Sequence, residues 1–136
     1  MKKLSNLEFK KKFDSVAKKY EKISNYYTIN RRSESFKIQS SELILETGSG
    51  TGIISELINK SIICTDISYE MCKQAVRKQR QHVICCDAEK LPIRSGILDG
   101  ILSTEMIYYL DCPQNFIRDS HKVLKNNARL MITMFN

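Results

Sequence analysis

Three glycines at alternate positions, Gly48, Gly50 and Gly52, follow the apolar run Leu43-Ile44-Leu45 and the carboxylate of Glu46. A strand that passes through such a turn into a helix sets backbone N–H groups and the positive end of the helix dipole against a ligand. The spacing separates the possible ligands. A dinucleotide fingerprint, G-x-G-x-x-G, would need its third glycine at position 53, where this chain has Ile53, so the turn argues against NAD. Asp66 closes a second apolar run, Ile62-Ile63-Cys64, and its two acceptor oxygens suit the paired hydroxyls of a ribose. Asp87 closes a third run, His82 to Cys86, where a carboxylate can accept from an exocyclic amine such as that of adenine. With Glu46 and with Ser103 or Thr104, these residues would line one crevice at the C-terminal ends of parallel strands.

The elements that must hold them there follow from the apolar pattern, which from residue 42 onward switches between short runs and helical spacing, as in alternating strands and helices around a parallel sheet. Ile53, Ile54, Leu57 and Ile58 predict a helix over about residues 51–60. Ser68 suits an N-cap, and Met71, Cys72, Ala75, Val76 and Gln79 mark the buried face of the helix behind it. After the linker from Asp87 to Pro92, residues 97–103 predict a fourth strand weakened by Gly100. Pro113 suits the first turn of a helix that buries Phe116, Ile117, Ser120, Val123 and Leu124, with Asn126-Asn127 to stop it, and residues 129–135 make the fifth strand. Residues 1–40 read as two basic helices forming a cap on the same domain. The first has Leu7, Phe13, Val16, Ala17 and Tyr20 as its apolar positions, and the second is anchored by Tyr26, Tyr27, Ile29 and Phe36.

A chain of 136 residues suffices for one core without staples. It contains no apolar stretch near the roughly 18 residues of a membrane span and no signal-peptide pattern, so the reading is of a cytoplasmic protein. The cysteines, Cys64, Cys72, Cys85, Cys86 and Cys112, form no C-x-x-C pair and read as reduced, buried thiols without metal; Cys85 and Cys86 would point to opposite faces of a strand. The net charge of +7 resides wholly in residues 1–40, where Lys10 to Lys12, Lys18, Lys19 and Lys22 read as a solvated helix face rather than a nucleic-acid footprint.

ETGSGTG, TDIS, CDAEKLPI, LDGILSTEMIYYL and LKNNARLMIT, together spanning about residues 42–135, resemble the successive motifs of class I S-adenosylmethionine-dependent methyltransferases. The segment from Phe13 to Tyr20 is similar to the helix that caps the cofactor in the small-molecule subgroup, which includes quinone-ring methyltransferases. The resemblance implies a Rossmann-like α/β sheet and a cofactor site of Tyr20, Glu46, Gly48, Ser49, Gly50, Gly52, Asp66, Ile67, Asp87, Ala88 and Ser103. It implies S-adenosylmethionine as cofactor and a small-molecule methyl acceptor. The family commonly places an aromatic residue where Leu98 stands and a Pro-Gly-Gly turn where this chain reads Asn126-Asn127-Ala128. Its sheet also carries two further strands after the fifth. A five-strand sheet would leave an edge for a second copy or a partner to cover. Transfer from a sulfonium needs proximity and alignment more than a base, so no catalytic residue is assigned; His82 and His121 read as surface or packing residues, and Tyr108 and Tyr109 join Tyr20, Tyr26 and Tyr27 as candidate pocket walls. The competing readings are a cofactor-binding fragment that is non-catalytic or needs a partner, and an RNA methyltransferase; against the second, Ser103-Thr104-Glu105-Met106 replaces the Asn/Asp-Pro-Pro-aromatic signature.

Overall fold

The computed structural model describes residues 4–23, 36–39, 41–58, 62–78 and 82–134. Five strands form one parallel sheet, β1 (Ile44–Thr47), β2 (Ile62–Asp66), β3 (Val83–Cys85), β4 (Leu98–Thr104) and β5 (Leu124–Thr133), in the order β3-β2-β1-β4-β5. Helices α1 (Asn6–Val16) and α2 (Tyr20–Ile23) precede the sheet; α3 (Ile53–Ile58), α4 (Tyr69–Arg77) and α5 (Pro113–Val123) connect its strands. The order reverses between β1 and β4, so the chain leaves the two strands in opposite directions and opens a crevice above their C-terminal ends.

Both faces of the sheet are buried, which is why its central strands carry unbroken apolar runs. Neighbouring residues point to opposite faces. Leu45 and Ile101 pack with Leu98, Phe116 and Val123, whereas Ile44 and Leu102 pack with Phe36, Ile54 and Ile62. The first cluster is closed by α5 and the second by α3. Gly100 makes room in this packing: a Cβ there would lie 2.8 Å from Ile44 Cδ1, which would have to shift.

Three helix starts carry recognisable capping chemistry, at Ser68 and Pro113 as expected. Ser5 and Glu8 form a capping box on α1, Ser68 Oγ accepts from Met71 N–H at the start of α4, and Pro113 opens α5. One expected apolar position on each of three helices is exposed: Leu7 on α1, Val76 on α4 and Ile117 on α5, whereas Met71, Cys72 and Ala75 of α4 and Phe116, Ser120 and Val123 of α5 are buried as expected. The end of α5 also differs: the helix stops at Val123, and Leu124 pairs at once with Leu98 before an irregularity that resumes at Gly100↔Arg129. Asn127 takes the left-handed conformation (φ 63°) inside that irregularity rather than at a helix stop. Cys64 and Cys72 are buried, but Cys85 is exposed and Cys86 half-buried, since β3 is an edge strand; Cys112, before α5, is half-buried as well. Tyr26, Tyr27, Ile29 and Gln79 lie outside the described residues.

Among the described residues, no helix is long and apolar enough to cross a membrane. Phe116 has no exposure and the largest side chain in the core, so Phe116→Ala is expected to lower unfolding free energy in urea by about 3–5 kcal/mol. A loss under 1 kcal/mol would contradict this account of the core.

Candidate functional site

The glycine turn is fixed from two sides. Gly48, Gly50 and Gly52 have φ of 66°, 55° and 79°, a region costly for residues with a Cβ. At Gly48 a Cβ would also overlap Met106 Cγ and stand 2.9 Å from Met106 Cβ, while Gly50 lies under the Tyr20 ring. Ser49 N–H donates to the Thr65 carbonyl at 2.9 Å, which ties the turn to β2.

Asp66 is the junction of the site. Its Oδ2 accepts from Gly50 N–H and its Oδ1 from Ser68 N–H, each at 2.8 Å. Burial pushes its carboxyl above the usual range, opposed by the N–H donors of Ser68 and Gly50. Beside it the backbone ladder continues to Cys86 N–H, which donates to the Asp66 carbonyl at 2.9 Å. Asp87 turns the chain by accepting from Glu89 N–H at 2.9 Å, and the following loop is anchored to α5 by Leu91 N–H on Asp119 Oδ2 at 3.0 Å.

These elements line one open cleft at the C-terminal ends of the strands. Of the residues expected in a cofactor site, Tyr20, Gly48, Gly50, Asp66, Ile67, Asp87 and Ala88 line it. Glu46, Ser49, Gly52 and Ser103 do not. Glu46, Ser49 and Ser103 are buried beneath the lining, and Gly52 leads into α3, its carbonyl accepting from Glu56 N–H. Tyr109 lines the cleft, whereas Tyr108 is partly exposed and donates to Glu105 at 2.9 Å. His82 and His121 are exposed and lie away from the cleft.

Asn6, Phe9, Met71, Met106 and Leu110 line the cleft as well and were not expected there. Asn6, Phe9 and Phe13 share one face of α1, a spacing the sequence already contained. The rings of Phe9 and Phe13 meet Tyr109 edge-on, with centroids 4.8 and 5.3 Å away.

The chemistry of this lining fits an adenosine bearing an apolar or cationic tail. Asp66 offers two oriented acceptors to a diol, Ile67 and Ala88 offer an apolar slot for a flat base, and the exposed backbone at Gly48 and Gly50 permits close approach. Glu46 Oε2, Ser49 Oγ and Ser103 Oγ are buried with no hydrogen-bond partner among the described residues, so polar atoms without a protein partner lie beneath the turn.

Residues 45–132 match the family described as a methyltransferase domain. The chain belongs to this methyltransferase-domain family. It is 26% identical over 126 residues to the malonyl-[acyl-carrier protein] O-methyltransferase of Marinomonas sp. (strain MWYL1), a match covering 85% of this chain and 47% of that protein. The chain therefore spans about half the length of that curated relative. Its fold is that of a SAM-dependent methyltransferase from Aquifex aeolicus (TM-score 0.60, 16% identity, 85% of this chain and 67% of that one). It is also that of geranyl diphosphate C-methyltransferase from Streptomyces coelicolor A3(2), solved with S-adenosyl-L-homocysteine (TM-score 0.66, 14% identity, 75% and 44%).

The Glu46 carboxyl is strongly perturbed. Burial, then the neighbouring Asp66 charge, raise it to about 8 against the opposing Ser55 N–H. Between its ordinary value of 4.5 and about 8 the folded chain holds a proton that the unfolded chain has lost. The stability from neutral Glu46 is therefore complete below the lower value and lost as pH rises toward the upper one. Thermal melts of the ligand-free chain from pH 5 to 8 should show wild-type Tm falling relative to Glu46→Gln; parallel curves would contradict the assignment.

Proposed function

We propose that the chain binds S-adenosylmethionine in this cleft and transfers its methyl group to a small organic acceptor. The observation that carries the reading is the Asp66 carboxylate, held by two backbone N–H groups at the rim of a glycine-turn cleft in a methyltransferase-domain chain. The cofactor supplies a methyl group already activated on a sulfonium. The protein supplies placement.

Each wall has a part in that placement. Asp66 orients the ribose by accepting from its hydroxyls. Ile67 and Ala88 hold the base, with Asp87 at its exocyclic edge. Gly48 and Gly50 give the tail its approach to the backbone, above the buried acceptors of Glu46, Ser49 and Ser103. Phe9, Phe13, Met106 and Tyr109 form an apolar wall that excludes water from the reacting atoms.

The lining also bears on the acceptor. Among the described residues, the carboxylates of the cleft are Asp66 and Asp87, both assigned to the cofactor, and burial raises the pKa of Tyr20, so it stays protonated at neutral pH. This supports an acceptor whose nucleophile needs no deprotonation in the cleft, such as a carboxylate. A malonyl group, named for the Marinomonas relative, is an acceptor of that chemistry.

Calorimetric titration tests the reading. S-adenosylmethionine should bind at micromolar concentration and NAD should not. Asp66→Ala should weaken binding by about 1.5–3 kcal/mol, the range for hydrogen bonds to a charged group. Equal binding of NAD, or an unchanged affinity in Asp66→Ala, would overturn it.

A further inference from the structure

Helix α1 crosses the cleft with no fully buried residue, and its inner face of Asn6, Phe9 and Phe13 is cleft lining rather than core. Phe9 and Phe13 lean edge-on against Tyr109, and the polar contacts sit at the two ends of the helix. At the first turn, Asn6 N–H donates to Asp111 Oδ1 at 3.0 Å and Asn6 Nδ2 to Glu89 Oε1 at 3.3 Å. At the other end, Asp14 Oδ1 accepts from Ser68 Oγ at 2.5 Å and from Glu70 N–H at 3.2 Å, and its Oδ2 accepts from Lys10 Nζ at 2.7 Å.

The second tether reaches the centre of the site. Ser68 is the residue whose N–H holds Asp66 Oδ1. Its hydroxyl oxygen accepts from Met71 N–H while its proton goes to Asp14. The cap of α4 is therefore made by Ser68 itself, and Asp14 is added from an element 54 positions away. Asp14 meets α4 at its N-terminal end, where a carboxylate is favoured. Burial alone would raise its carboxyl, but the donors Lys10, Ser68 and Glu70 N–H outweigh it and hold the group below its ordinary value. The tether is thus charged at neutral pH.

We infer that Asp14 is a positioning residue: it latches α1 shut over the cleft by way of Ser68, at the N-terminal end of α4 beside Asp66. The inference rests on the proposed cofactor site for its consequence, but the latch itself is readable without ligand. α1 carries Lys11 and Lys12 on its exposed side, and trypsin reaches such bonds only when the helix opens.

The test uses the full chain and its Asp14→Ala and Asp14→Asn variants. With limiting trypsin and no ligand, cleavage after Lys11 or Lys12 should accelerate roughly tenfold in Asp14→Ala, as loss of a charged hydrogen bond implies. Asp14→Asn, which keeps an acceptor for Ser68 but loses the Lys10 ion pair, should lie between. Hydrogen exchange of the α4 amides should remain as in wild type. In stopped flow, S-adenosylhomocysteine should leave Asp14→Ala roughly tenfold faster. Unchanged cleavage in Asp14→Ala would overturn the latch, and so would loss of α4 protection in parallel, which would make Asp14 a simple helix cap. If wild type binds no S-adenosylhomocysteine, the cofactor reading fails, and the cleavage rates still decide the latch.

Discussion

Both oxygens of Asp66 are held by backbone N–H groups, one from the turn after β1 and one from the turn after β2. A carboxylate with this much burial stays useful only if its charge is met by fixed donors. Gly50 and Ser68 meet it, and in doing so they fix the distance between two loops that would otherwise be independent. The glycines, the serine cap and the parallel register of β1 with β2 serve that one constraint. A Cβ at Gly48 would drive Met106 outward, and loss of the Ser68 turn would free Oδ1.

The constraint extends outward in both directions. Below it, burial and, second, the neighbouring Asp66 charge raise the Glu46 carboxyl to about 8, so it is neutral near physiological pH. Above it, Ser68 passes the position of Asp66 to Asp14 and so to α1. On the far side, Asp87, Glu89 and Asp119 hold the loop after β3 against α5. Glu89 is the hub of that side, accepting from Cys112 N–H at 2.9 Å as well as from the side chains of Asn6 and Asn115. Rigid strands thus bring the carboxylates together, and short polar contacts set the loops between them.

Much of this was legible in the chain. Carboxylates that end apolar runs mark strand ends directly, so the placement of Asp66 and Asp87 at the cleft follows from alternation and run length alone. Ser68 and Pro113 carry local chemistry that does not depend on the rest of the fold. What sequence reading missed depends on contacts between distant segments. The phase of a short amphipathic helix is ambiguous when both sides carry apolar residues, so Leu7, Val76 and Ile117 face solvent although helical spacing alone would bury them. The direct passage from α5 into β5 is set by Leu124 pairing with Leu98, a long-range choice that overrides the turn preference of Asn126-Asn127. Glu46, Ser49 and Ser103 belong to the right strand ends but lie under the lining, because side-chain direction at a turn is not given by spacing.

The most direct test of the central claim is a crystal structure of the chain with S-adenosylhomocysteine. The account predicts the two ribose hydroxyls within hydrogen-bond distance of Asp66, with Gly50 N–H and Ser68 N–H still donating to its oxygens. A nucleoside bound elsewhere, or an Asp66 released from both amides to reach the ligand, would contradict it.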